Sequence, residues 1–451
     1  MIISLPLPIL PWHHHQHRED PQLRMKFSSR FQCAASLTTR GHRFISTLAA
    51  ATNEPQVVAH RLISKFVASS PKSVALNALS HLLSLDTSQP HLSSLALPLY
   101  SRISEAPWFN WNPKLVADLV ALLDKQGQYS QSQALIFETI SKLQFKERDL
   151  ALFYCNLIES HAKNKSEHGF NDSYICLNEV IRKSCSVYVK SQGYKSMVSA
   201  LCEMGEPHEA ENVVEEMRVN GLKLSLFEFR CVLYGYGRLG LFEDMLRIVE
   251  QMESEGFQVD TVSSNMVLSS YGAHNALSDM LSWLQQLKSL GIPFSVRTYN
   301  SVLNSCPMMI SMLQDLKSLP LSLKELTVTL NNDEALLVKE LTQSPVLDGA
   351  IEWGALEAKL DLHGMHLGSA YLIMLQWMDE MRNRFKDGKF ALPAEIILVC
   401  GSGKHSSVRG ESPVKGMVRE IMVRTRSPMR IDRKNIGCFI AKGKVVRDWL
   451  C

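Results

Sequence analysis

MRVNGLKLS (Met217–Ser225) recurs as MESEGFQVD (Met252–Asp260) and again as LKSLGIPFS (Leu287–Ser295), each copy 35 residues after the one before. Gly221, Gly256 and Gly291 each close a helix-like run and precede an apolar residue, Leu222, Phe257 or Ile292. Four residues ahead of the glycines stand Met217, Met252 and Leu287. Further columns keep the period: Met197, Val232, Val267 and Val302; Val198, Leu233, Leu268 and Leu303; Leu201, Tyr236 and Tyr271. Self-similarity at one fixed period marks a repeat architecture. Within a unit, apolar residues recur at helical spacing in two runs, such as Phe229 to Tyr236 and Phe242 to Met252. Gly240 separates them, and Gly205 and Asn275 hold the same place in the neighbouring units. Glycine and asparagine are the residues that most readily take left-handed backbone. Each unit is predicted to be a helix–turn–helix. One such hairpin cannot bury its apolar face alone, so neighbours should stack.

The units run over 191–225, 226–260, 261–295 and 296–330. In the last, Pro307 falls where the first helix would continue, and an interior proline removes a hydrogen bond. Weaker hairpins are expected at 113–147 and 151–190, the second disturbed by the polar insert Lys163 to Gly169. Residues 54–112 look helical without a repeat. The expected layout is an unstructured leader over 1–53, a helical region over 54–112, repeats over 113–330, a linker over 331–354 and a C-terminal domain over 355–451.

With 45% apolar and 21% charged residues, most of this 451-residue chain should be globular. No stretch approaches the roughly 20 uninterrupted apolar residues of a membrane helix, so no membrane partner is expected. Ten cysteines are scattered without a CxxC pair, as buried thiols in a reducing compartment would be. The net charge of +3 hides a polarity. Residues 151–350 carry 16 Lys and Arg against 24 Asp and Glu, whereas 401–451 carry 12 against 4. A basic end on an acidic body suits a local polyanion site. From Gln22 to Asn53 there is no acidic residue, while Arg24, Lys26, Arg30, Arg40 and Arg43 stand among Ser, Thr and Ala. That is the composition of a mitochondrial or chloroplast transit peptide. Upstream, Pro6, Pro8, Pro11 and His13, His14, His15 and His17 fit such a leader poorly, so translation is expected to start at Met25.

Beyond residue 350 the period changes. LDLHG (Leu360 to Gly364) reads as a short strand with a polar end, and Leu367 to Phe385 as an amphipathic helix with Tyr371, Leu375, Met378 and Met381 on one face. Ile396 to Val399 reads as a buried strand running into Gly401-Ser402-Gly403-Lys404-His405. Pro413 to Met422 is a predicted helix, and the alternation around Lys442-Gly443 predicts a hairpin. The order βαβαββ gives a small α/β domain. Its chemistry should gather where DLHG and GSGKH leave their strands. Glycines there let backbone N–H groups approach a phosphate, and Lys404 adds charge.

The segments RTYNSVLNS (297–305) and EAENVVEEMRVNGLKLS (209–225), with the 35-residue period, resemble pentatricopeptide (PPR) repeats. The resemblance implies an α-solenoid that reads single-stranded RNA at about one base per repeat. The family's base-facing fifth and last positions would fall on Lys195 with Ser225, Arg230 with Asp260, and Asn265 with Ser295. Asn300 would open a further pair, but its partner Leu330 cannot hydrogen-bond to a base edge. Lys195 and Arg230 depart from the usual small polar residue and suit phosphates or neighbouring charges. Protein-binding arrays share this hairpin plan, so period alone leaves protein partners open.

LDLHGMHLGSA, VCGSGKHSSVRGESPVKGMV and GCFIAKGKVVRDWL together resemble the small MutS-related (SMR) domain, in which LDxH and TGxG motifs face each other and many members nick DNA or RNA. The match assigns catalysis to Asp361 and His363, and phosphate contacts to Gly401, Gly403, Lys404 and His405. Cys400 stands where the family usually has threonine, which removes a hydroxyl donor. Imidazole suits acid–base work near neutral pH, and Asp361, two residues earlier on a strand, shares its face. Asp361 would orient the ring or hold a divalent cation such as magnesium, the one cofactor a nuclease would call for. His366 and His405 are secondary candidates. Arg419, Arg424, Arg426, Arg430, Arg433 and Lys434 fit an electrostatic RNA footprint. Leader, repeats and C-terminal domain together resemble plant organellar PPR–SMR proteins. The expectation is a single-stranded organellar RNA as partner, in a chloroplast or alternatively a mitochondrion. The role is RNA processing, stability or translation, by endonuclease, RNA clamp or non-catalytic scaffold.

Overall fold

The computed structural model describes residues 37–51, 56–84, 90–387, 391–401 and 412–451. Met25, the histidine run and the loop residues Gly403, Lys404 and His405 lie outside the described residues. The N-terminal region holds α1 (Thr39–Ala50), α2 (Gln56–Ser69), α3 (Lys72–Leu83), α4 (Pro90–Ser93) and α5 (Ala96–Ser104). Hairpins follow: α6 (Pro113–Lys125) with α7 (Tyr129–Leu143), α8 (Glu147–Asn164) with α9 (Glu167–Lys183), and α10 (Val187–Met204) with α11 (Pro207–Val219). The series continues with α12 (Leu226–Arg238) and α13 (Phe242–Ser254), α14 (Thr261–Ala273) and α15 (Leu277–Ser289), and the short pair α16 (Val296–Leu303) and α17 (Pro307–Met312).

Hydrogen bonding explains the spacing of the repeat. Gly221, Gly256 and Gly291 have φ of 69°, 84° and 68°. That left-handed turn lets the next residue reach back: Leu222 N–H donates to Met217 O at 3.0 Å, Phe257 to Met252 at 3.1 Å and Ile292 to Leu287 at 2.9 Å. These are Schellman closures, which satisfy the last carbonyls of each second helix. The same closure ends the first helices α6, α8, α10, α12 and α14, at Gly127, Lys165, Gly205, Gly240 and Asn275, all with positive φ. The carbonyls that receive it belong to Leu123, His161, Leu201, Tyr236 and Tyr271. The Leu201–Tyr236–Tyr271 column thus extends upstream, at spacings of 38 and 40 instead of 35. The polar insert Lys163 to Gly169 is the α8–α9 turn and the start of α9.

Successive first helices α6, α8, α10, α12, α14 and α16 pack side by side, and each of α6 to α14 packs on its own second helix. Met197, Val232, Val267, Val302, Val198, Leu233, Leu268 and Leu303 are all buried in that row. Truncating one such side chain to alanine costs about 2–5 kcal/mol.

Three expectations are corrected. The leader was expected to be unstructured to residue 53, yet α1 is folded: Thr38 caps it, the Phe44 ring stacks on Phe66 at 3.7 Å and Leu48 is buried. Its arginines and small residues are compatible with a helix whose apolar face has found a partner. Residues 331–354 are not a linker. They carry α19 (Asn332–Thr342), which follows α18 (Leu323–Thr329), and then α20 (Val346–Ala350) and β1 (Ile351–Trp353). α19 packs on α15, and Lys288 Nζ lies 2.9 Å from Glu340 Oε1. Glu334 is fully buried because its carboxylate accepts the N–H groups of Met308 at 2.9 Å and Met309 at 3.0 Å, capping the helix that Pro307 begins.

The expected terminal hairpin is strand then helix, β5 (Cys438–Lys442) followed by α23 (Gly443–Leu450). Val446 and Leu450 are buried, four residues apart as a helix requires. A Cβ on Gly443 would lie 1.9 Å from the Pro393 carbonyl oxygen, so only glycine allows the chain to turn there. With β2 (Glu357–Asp361), α21 (Leu367–Asp387), β3 (Glu395–Val399), α22 (Pro413–Arg424) and β4 (Arg430–Ile431), the observed order is ββαβαββα and not βαβαββ. The sheet runs β1-β2-β3-β5-β4, with β2 and β3 parallel and the other pairs antiparallel. Residues 370–378 of α21 are buried on every side, because α16, α18 and α20 pack on it from the array side and α22 and α23 from the domain side. No helix among the described residues is long and apolar enough to cross a membrane.

Two buried polar residues, His161 and Glu334, lead to stability predictions. His161 has no hydrogen-bond partner for either ring nitrogen, Nε2 lies 3.6 Å from Asp124 Oδ2, and burial pushes the imidazole down from 6.5 to about 4. The unfolded chain therefore takes up the proton first. The contribution of the neutral ring is complete above pH 6.5 and is lost as pH falls toward 4. Urea midpoints should show a loss of about 3 kcal/mol across that window that His161→Leu abolishes. Glu334→Ala leaves two N–H groups without their acceptor, and the same titration should report a loss of about 2–3 kcal/mol.

Candidate nucleic-acid interface

Lys195, Arg230, Asn265 and Asn300 fall at corresponding places on α10, α12, α14 and α16. Ser225, Asp260 and Ser295 are the N-cap residues of α12, α14 and α16. Ser225 Oγ accepts Phe227 N–H at 3.3 Å, Asp260 Oδ1 accepts Ser263 N–H at 2.9 Å, and Ser295 Oγ accepts Thr298 N–H at 3.2 Å. The residue type at these last positions is therefore set by helix capping in its own right.

The cations beside these caps are matched internally. Lys195 Nζ lies 3.8 Å from Glu228 Oε1, a fully buried carboxylate that also accepts the Ser225 N–H at 2.8 Å. Arg230 Nη2 donates to Asp260 Oδ2 at 2.5 Å and Nε to Ser263 Oγ at 3.2 Å. Burial pushes the Asp260 carboxyl up, but the Ser263 N–H and hydroxyl and the Arg230 guanidinium outweigh it and hold it below the usual range. Asn265 differs. Its Nδ2 and Oδ1 are both buried without a hydrogen-bond partner.

Asn300 is not available to a base. Its Oδ1 accepts the His366 N–H at 3.1 Å and the Ser369 hydroxyl at 2.7 Å. The first turn of α21 has N–H groups with no partner within the helix, and the asparagine of the last repeat supplies an acceptor there. Asn304, one turn on, places Nδ2 2.6 Å from His366 Nδ1.

The parallel pairing of β2 and β3 sets Asp361 opposite Val399, and Leu362 N–H donates to Val399 O at 2.8 Å. DLHG and Cys400-Gly401 thus leave the sheet side by side. Asp361 Oδ1 accepts the His363 N–H at 2.9 Å, and the exposed His363 ring has Nδ1 3.9 Å from the same oxygen. Gly364 and Gly401 both turn with left-handed φ, 78° and 79°. Burial pushes the Cys400 thiol up to about 12, the Cys438 and Asp361 charges reinforce it and Lys415 opposes it, so the group is a neutral thiol and no nucleophile. Among the described residues no group of three or more His, Cys, Asp and Glu gathers to hold a metal.

The structure sorts the basic residues that charge alone could not. Cys400 N–H donates to Gly437 O at 2.9 Å, which brings the Asp432–Gly437 turn, with exposed Arg433 and Lys434, to the same sheet edge. Arg424 instead donates to Leu319 O at 2.6 Å and Leu316 O at 3.4 Å, tying α22 to the end of the array. No sequence signal separated these roles, because both depend on antiparallel pairing and packing between distant segments.

A profile described as PPR repeat matches residues 194–222 and 229–257, and one described as Pentatricopeptide repeat domain matches 247–308. The chain is 63% identical over 420 residues to Pentatricopeptide repeat-containing protein At2g17033 of Arabidopsis thaliana, covering 93% of this chain and 83% of that protein. It is 29% identical over 91 residues to Pentatricopeptide repeat-containing protein At1g74750 of the same plant, 20% of this chain and 10% of that protein. Among solved structures it is similar to the pentatricopeptide repeat protein PPR10 from maize, with TM-score 0.38 and 14% identity over 84% of this chain and 51% of that one, about half its length. PPR10 in complex with an 18-nt psaJ RNA element gives TM-score 0.33 and 13% identity, over 78% of this chain and 59% of that one.

Replacing a buried, unpartnered amide by an apolar side chain of similar size removes a desolvation penalty. Asn265→Leu should therefore raise the urea midpoint, by about 1–2 kcal/mol; a lower midpoint would mean that the amide has partners in solution.

Proposed function

The chain belongs to the pentatricopeptide repeat-containing proteins, and from that premise we propose that it is an organellar RNA-binding protein whose helix row holds single-stranded RNA while the C-terminal sheet edge takes the adjacent backbone. The observation that carries this reading is Asn265. A buried amide with both atoms unpartnered lowers stability. With Ser295 it offers a donor and an acceptor to the edge of one base. Lys195 and Arg230, matched by Glu228 and Asp260, discriminate poorly and suit the phosphates between bases. Sequence discrimination is accordingly modest, and affinity falls with salt as counterions are displaced.

The resemblance of residues 355–451 to SMR domains supports a backbone-binding role for the edge formed by Asp361, His363, Gly364 and Gly401, flanked by Arg433 and Lys434. Its glycine turns admit a phosphate to backbone N–H groups. A second reading, endonuclease, is favoured by the Asp361–His363 pair: the carboxylate fixes the backbone of the residue whose imidazole would accept the proton of an attacking hydroxyl. The basic, acid-free stretch ahead of α1, with Arg24, Lys26 and Arg30, supports import into an organelle, for which we propose the chloroplast.

Incubating the full chain with chloroplast RNA and magnesium, and mapping protected segments and new ends together, tests these readings. A protected segment whose retention weakens as salt rises is expected. New ends that vanish in Asp361→Ala/His363→Ala identify a nuclease, and footprints that survive the double change identify a clamp. Absence of any salt-sensitive RNA retention would rule the RNA reading out.

A further inference from the structure

We propose that His366 is a further ligand-contacting residue of the sheet edge, an imidazole that the last repeat orients so that its Nε2–H is offered to a phosphodiester oxygen of single-stranded RNA. The inference rests on the reading that this edge takes nucleic acid, and it names a contact and the residues that build it.

The tautomer follows from the partner. Asn304 Nδ2 lies 2.6 Å from His366 Nδ1, and an amide nitrogen has hydrogens to donate and no lone pair to accept with. Nδ1 therefore accepts, and the ring hydrogen sits on Nε2. The backbone is pinned as firmly as the ring. His366 N–H and the Ser369 hydroxyl both donate to Asn300 Oδ1, at 3.1 and 2.7 Å. Asn300 and Asn304 are four residues apart on α16 and so share one face of it. Close approach of the two helices is provided by Gly368, where a Cβ would lie 3.2 Å from Leu303 Cβ. His366 is exposed and follows the left-handed turn at Gly364 by two residues, on the same segment as Asp361 and His363.

Asn300 and Asn304 are thus positioning residues, and the array builds part of the site that the C-terminal domain carries. Because α14, α16 and α21 are successive packed helices, the distance from a base at Asn265 to a phosphodiester at His366 is set by the fold.

The test uses the full chain with 15N-labelled histidine and a fluorescein-labelled 16-nucleotide oligouridylate. Two-bond proton–nitrogen spectra should show His366 with its hydrogen on Nε2, and oligouridylate should shift that nitrogen. His366→Ala should weaken binding about ten-fold, the loss of one hydrogen bond to a charged acceptor. His366→Gln, which keeps an N–H, should stay within about two-fold. Asn304→Leu should weaken binding as His366→Ala does, with His366 now in mixed tautomers, which a merely structural role for Asn304 would not produce. A wild-type chain with the hydrogen on Nδ1, or a His366→Ala chain that binds like wild type, overturns the inference alone. A wild-type chain that binds no oligouridylate overturns the RNA reading beneath it.

Discussion

A helix hairpin that cannot cover its own apolar columns must be covered by the next one, and every other feature of this chain depends on that constraint. Met197, Val232, Val267 and Val302 in one column, and Val198, Leu233, Leu268 and Leu303 in another, are buried between successive first helices. Lateral packing fixes the rotation of each helix about its axis. It thereby decides which residues remain on the free face, and brings Lys195, Arg230, Asn265 and Asn300 to equivalent places. A stack of this kind also has an end that needs a cover. α21 supplies it, so the C-terminal domain closes the array through a helix buried on both sides and is not tethered to it by a flexible linker.

The same packing governs the electrostatics. An acidic array would repel a polyanion, but the acids nearest the free face are engaged: Glu228 with Lys195 and the Ser225 cap, Asp260 with Arg230 and Ser263. On α14, Asn265 keeps a buried amide with neither polar atom partnered. The excess positive charge lies at the other end, where the Asp432–Gly437 turn carries Arg433 and Lys434 to the edge shared by Asp361 and Gly401.

Much of this was legible in the residues. Each repeat solves the same problem with the same closure, a left-handed glycine followed by an apolar residue whose N–H returns to a carbonyl five positions back, so the period is written directly in the chain. Upstream, the period was hidden because α8, α9 and α10 are longer than the array helices that follow and because His161 replaces an apolar residue, tolerated only because Gly169 leaves room for its ring: a Cβ there would lie 2.3 Å from it. The VVRDWL segment was misread since short apolar runs satisfy strand and helix patterns alike. The supposed linker was misread because Glu334 is charged, and a charge signals solvent unless its buried partners are known.

Local chemistry, then, determined the hairpins, their caps and their stacking face, because those depend on residues within a few turns of one another. Tertiary structure alone decided which polar residues are free to meet a ligand. Arg230 is matched by a residue 30 positions away, and Asn300 is taken by a hydroxyl 69 positions away. Hydrogen bonds and ion pairs of that span follow from how helices and strands are brought together, and nothing in the order of amino acids near Asn300 distinguishes it from Asn265.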